Sequence, residues 1–100
     1  MPGSIFLKET IAEKVEKRYN IRYNPDTEIT VTAGGTQAIF TALASIINAG
    51  DEVIIFEPAY DSYAPTVKLL GGLVKTYELA PPDYGIDWVM VKKLFTVKTR

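Results

Sequence analysis

The run Thr32-Ala33-Gly34-Gly35-Thr36-Gln37 is the part of this sequence best suited to hold a ligand. A β-branched stretch, residues 28–32, predicts a strand before it, and an apolar helix follows it. A strand that stops at two glycines and opens a helix leaves backbone N–H groups without acceptors at the positive end of a helix dipole. That is a natural holder for phosphate. Gly34 and Gly35 let an anion come close to the backbone, and Thr36 adds a hydroxyl donor. The same residues also suit a plain tight turn between strand and helix.

A second candidate is Glu57-Pro58-Ala59-Tyr60-Asp61-Ser62-Tyr63, in the loop that leaves the end of the apolar run Val53-Ile54-Ile55-Phe56. Open α/β sheets bind ligands beyond the carboxyl ends of their strands. Tyr60 is thus expected at the same sheet edge as the glycines, where its ring could stack on a flat ligand or pack the loop onto the sheet.

Two phosphate motifs are excluded. No lysine followed by serine or threonine comes after the glycines, so the segment is not a P-loop. The dinucleotide fingerprint lacks its third glycine, although Glu57, about twenty residues on, stands where a ribose-binding acid would. A nucleotide-binding module therefore stays open as an alternative, as does a structural piece that binds no small molecule.

Composition narrows the rest. The 100 residues contain no histidine and no cysteine, so metal chemistry would rest on carboxylates alone and thiolate chemistry is absent. Eleven basic and twelve acidic residues give a net charge of −1, which points away from nucleic acid and anionic membranes. No apolar run approaches a membrane span, and the first residues do not read as a signal peptide, so a cytoplasmic protein is expected.

These candidates need elements to position them. Leu7, Ile11, Ala12, Val15 and Tyr19 recur at helical spacing in an amphipathic helix over 4–19, with Lys8 among the solvated residues. Asn24-Pro25-Asp26 is turn chemistry before the strand at 28–32. Residues 36–48 predict a helix apolar over most of its circumference, which must be covered on several sides, with Gly50 as its left-handed cap. Residues 53–56 read as a central parallel strand, and 62–70 as a helix capped by Ser62 or Asp61 with Pro65 in its first turn. Residues 73–79 read as a less buried strand, and Asp87 caps a last helix from Trp88 to about Val97. The fold class expected is α/β, alternating α-β-α-β-α-β-α, with a mainly parallel sheet.

The sequence then resembles a known family. The segments Ile29-Thr-Val-Thr-Ala-Gly-Gly-Thr-Gln-Ala-Ile-Phe and Asn48-Ala-Gly-Asp-Glu-Val-Ile-Ile-Phe-Glu-Pro-Ala-Tyr-Asp-Ser-Tyr, followed by Gly71-Gly72, are similar to the class I/II pyridoxal-phosphate-dependent aminotransferases, in their kynurenine, glutamine and methionine branch. The resemblance runs from about Gly3 to Arg100 and implies that residues 1–100 form part of the family's three-layer, cofactor-binding large domain, with no second domain present. It further implies that Gly34, Gly35 and Thr36 hold the phosphate of pyridoxal 5'-phosphate and that Tyr60 stacks on its ring. Amino-acid and 2-oxo-acid substrates and a homo-oligomer, a homodimer in the family, follow from the same likeness.

The family's Schiff-base lysine, its aspartate at the pyridine nitrogen, its Asn-Pro motif and its substrate-binding arginine have no counterpart in these residues. Lys92, Lys93 and Lys98 match none of them and are expected on a solvated face. The resemblance also implies that the strand at 28–32 is not a neighbour of the strand at 53–56.

Overall fold

The computed structural model describes residues 3–100. They divide into two compact units, the first reaching Ala38 and the second Ile39–Arg100. The element order is α1 (Ile5–Tyr19), α2 (Gly35–Ile46), β1 (Glu52–Glu57), α3 (Tyr63–Leu69), β2 (Leu73–Glu78) and α4 (Trp88–Leu94).

In the first unit, α1 ends as its sequence suggests. Asn20 takes a left-handed conformation and its N–H donates to the Glu16 carbonyl at 2.8 Å, while Lys17 and Arg18 place positive charge on the negative end of the helix. The buried stripe is turned by one residue from the expected one. Lys8 and Ala12 are buried, Ile11 and Val15 half-buried, and Leu7 is exposed. Lys8 is only 4 % exposed. Its methylene stem supplies apolar surface, and its ammonium donates to the Asp26 carbonyl at 3.5 Å.

The strand expected at 28–32 does not form among the described residues. A strand exists only through its ladder, and these residues have no strand neighbour. Glu28 is instead held in a local turn. Its N–H donates to the Asn24 carbonyl at 2.9 Å, and its carboxylate accepts the Asn24 N–H at 2.6 Å. The observed order is therefore α-α-β-α-β-α, an α/β arrangement with one strand fewer than expected.

The second unit is built on a parallel pair. β1 and β2 run side by side from Glu52↔Leu73 to Glu57↔Glu78, with α3 as the crossover between them. Side chains alternate across such a pair. Ile55 packs with Val67 of α3 and Ile47 in the buried core, and Leu43, Val53, Tyr63 and Val74 pack around it. Gly71 closes α3 at φ +81. As expected, β2 is less buried than β1.

α2 is shorter than the expected 36–48 and bears no buried residue. The cover that its composition calls for is not supplied by the described residues: Phe40 is 40 % and Ile46 56 % exposed. α4 begins at its expected cap, with the Asp87 carboxylate accepting from the N–H groups of Val89 and Met90 at 2.9 and 3.2 Å. It stops at Leu94, short of Val97, because Phe95 turns extended and the Leu94 carbonyl is taken by the Lys75 ammonium at 3.2 Å.

Candidate functional site

Gly34, Gly35 and Thr36 lie together at the start of α2 and are exposed. Gly34 adopts φ +154, in a region open in practice to glycine alone. A Cβ added at either Gly34 or Gly35 would meet nothing within 4 Å, so the space above the backbone is open.

The turn is braced from both sides. The Thr32 hydroxyl donates to the Gly34 carbonyl at 2.8 Å, and the Gln37 side-chain oxygen accepts the Ala33 N–H at 2.7 Å. The first helical bond runs from the Ala38 N–H to the Gly34 carbonyl at 3.1 Å. Among the described residues, the N–H groups of Gly35, Thr36 and Gln37 have no protein acceptor. No acidic side chain occupies the first turn. What remains is a fixed fan of donors at an uncompensated positive helix end, a donor set suited to phosphate. The bracing roles of Thr32 and Gln37 were not read from the sequence. A glutamine at the third helical position is the signal that could have found one of them.

Tyr60 belongs to the second unit. It sits 57 % exposed in the loop after β1, with its ring edge-on to Tyr63 at a centroid distance of 5.8 Å and an angle of 61°. A hollow of about 490 Å3 opens beside it, lined by Ile55, Glu57, Pro58, Tyr60, Ala64 and Leu79. It lies past the carboxyl ends of both strands, where the sheet rule puts ligands. Ser62 stands at the cap position of α3 but makes no capping bond, because its helical φ −81 and ψ −15 turn the hydroxyl away from the first-turn N–H groups. Its oxygen is buried without a partner. Lys92, Lys93 and Lys98 are exposed, as expected. No group of three or more potential metal-binding side chains occurs among the described residues.

A chain with a parallel pair, a crossover helix and a glycine-opened helix belongs to the broad class of α/β proteins with a parallel sheet. Comparison narrows the class. The family model of aminotransferase class I and II matches residues 1–98, and the chain belongs to that family. It is 45 % identical over 100 residues to a methionine aminotransferase of Escherichia coli, covering all of this chain and 26 % of that protein.

Among solved structures, one from Escherichia coli described with a methionine aminotransferase function matches with a TM-score of 0.97 at 44 % identity. It covers 99 % of this chain and 26 % of its own. An N-succinyldiaminopimelate aminotransferase from Mycobacterium tuberculosis matches with a TM-score of 0.91 at 37 % identity, again over 99 % and 26 %. The chain thus spans about a quarter of the length of the relatives it matches. Membership of this family sets aside the nucleotide-binding alternative.

Proposed function

We propose that these residues supply the phosphate cradle and the ring-stacking face of a pyridoxal 5'-phosphate site in an aminotransferase. The observation that carries the reading is the braced turn at 34–36, where three N–H groups without protein acceptors and the Thr36 hydroxyl meet open space above two glycines. The chemistry of that donor set fits a phosphate dianion, and nothing acidic in the first turn opposes it.

Gly34 and Gly35 bind by keeping the backbone bare, and Gly35, Thr36 and Gln37 donate N–H groups. Tyr60 offers a broad exposed ring, held in orientation by Tyr63, on which a flat heteroaromatic ring can lie. When bound, the cofactor supplies an electron-accepting ring for chemistry at the Cα of an amino acid. Substrates in the longer protein are then an α-amino acid and a 2-oxo acid, and its setting is a cytoplasmic homo-oligomer. A polypeptide of these hundred residues is expected to transfer no amino group, since none of Lys92, Lys93 and Lys98 matches the family's reactive lysine.

Amide NMR on the chain tests the cradle. Added pyridoxal phosphate is expected to move the signals of Gly34, Gly35 and Thr36, while pyridoxal without its phosphate leaves them in place. Equal shifts from both compounds, or none from either, would refute the assignment.

A further inference from the structure

Many helices close their first turn by a reciprocal pair of bonds. A serine, threonine or aspartate before the helix accepts the N–H of the third residue, and a glutamate or glutamine at that third position reaches back to an N–H before the helix. Helix α2 keeps one half of this arrangement and lacks the other. Gln37, its third residue, accepts the Ala33 N–H through its side-chain oxygen at 2.7 Å. Gly34, in front of the helix, has no side chain to return the bond. Among the described residues the Gln37 N–H therefore stays open together with those of Gly35 and Thr36.

Charge follows the same pattern. A glutamate at the third position would give the same brace and would also favour the helix, since negative charge is stabilising at its positive end. The sequence places the neutral amide there. Residues 29–50 carry no charged side chain at all, and α2 accordingly has no acid in its first turn. The helix thus forgoes the stability that a carboxylate would contribute, and its positive end has no counter-charge of its own. A turn that only joins two segments gains nothing from this. A turn that receives an anion does, because a resident carboxylate would repel each negative charge brought to it.

We propose that Gln37 is a positioning and selectivity residue of the cradle: its uncharged side chain fixes the turn through Ala33, and by withholding a carboxylate it reserves the helix end for a doubly charged phosphate. The proposal rests on the cofactor reading above. The side chain of Gln37 acts on the ligand through the backbone that it fixes and through the charge that it lacks.

The test uses the whole chain and pyridoxine 5'-phosphate, which has no aldehyde and so does not condense with lysines. Amide NMR titrations give the affinity, while amide exchange and thermal melts report on the turn. Gln37→Glu is expected to keep the Ala33 amide protected and to melt no lower than the parent, yet to bind the phosphate ligand about fivefold or more weakly at about pH 7.5. The gap from the parent should narrow toward about pH 5.5, because a phosphate monoester takes its second negative charge near about pH 6. Gln37→Met, which removes the brace and adds no charge, should speed exchange at Ala33 and weaken binding by a factor that does not vary with pH. The proposal is overturned if Gln37→Glu loses stability and affinity together, or if its gap from the parent is independent of pH. If the parent shows no shift at Gly34, Gly35 and Thr36, the cradle reading fails and takes the proposal with it. If the parent binds and Gln37→Glu binds equally well, the proposal alone fails.

Discussion

The Lys75 ammonium lies 2.7 Å from the Glu52 carboxylate. The same ammonium donates to the Leu94 carbonyl, and the same carboxylate accepts the Thr96 hydroxyl. One ion pair therefore ties β2, β1, the end of α4 and the segment after it. Among the interactions of the second unit, this pair carries a distinct pH signature.

The hydrogen bond from Lys75, then that from Thr96, hold the Glu52 carboxyl below its ordinary 4.5, against the opposing effect of desolvation. A carboxyl depressed in the folded state stabilises the fold above its unfolded value, and that contribution disappears as pH falls through the folded value. Thermal melts between about pH 6 and pH 3 should show the loss setting in below 4.5. Lys75→Met should be less stable at neutral pH and lose less on acidification. Asp51, lowered chiefly by the Asn48 N–H, should keep its own share of the acid sensitivity in that variant. Parallel curves for the two proteins would show that the pair does not set the acid response.

Gly72 is required by close packing. A Cβ there would stand 2.9 Å from Val67 Cγ1 and 3.1 Å from both Ile47 Cγ2 and the Val67 carbonyl oxygen. Val67 is 1 % exposed and, being β-branched, cannot swing aside cheaply. Gly72→Ala should cost about 1–3 kcal/mol in chemical denaturation, the usual cost of overpacking. A stability equal to that of the parent would contradict this packing.

Asp87→Ala removes both capping bonds at once. α4 has only seven residues and few means of starting without its cap. The expected loss is about 1 kcal/mol, with earlier amide exchange at Val89 and Met90 than at Val67. Uniform exchange across the chain would mean that the helix does not fray from that end.

At the proposed cofactor site, Thr36→Val deletes one donor to a charged group and should weaken pyridoxal phosphate binding about tenfold. Binding of pyridoxal should not change. Tyr60→Ala should weaken both compounds alike, because it removes the stacking face and leaves the cradle intact. A titration in which the two variants behave identically would dissolve the division of labour between them.

How far these features can be read from sequence depends on whether their causes are local. The Asp87 cap, the left-handed turn at Gly50, the apolar run of β1 and the glycine opening of α2 all follow from residues within a few positions of one another. The strand expected at 28–32 failed for the opposite reason. Ile29 and Val31 have the right side chains, but a strand is a relation to a neighbour, which no stretch of sequence contains by itself. The burial of Lys8 was hidden in the same way, since it depends on where the Asp26 carbonyl lies in space. At the proposed site, Gly34, Gly35, Thr36 and Tyr60 stand as candidates that residue type suggested and the family resemblance singled out. The braces from Thr32 and Gln37 are exact only once the turn is built.

Trp88 is the chain's single tryptophan, 61 % exposed on the wall of a groove beside β1. Its indole emission is therefore that of a largely hydrated ring, and it comes from one known place. Whatever displaces water from that wall should shift the emission to the blue. The molecule thus carries a built-in optical gauge of one surface, readable without any label.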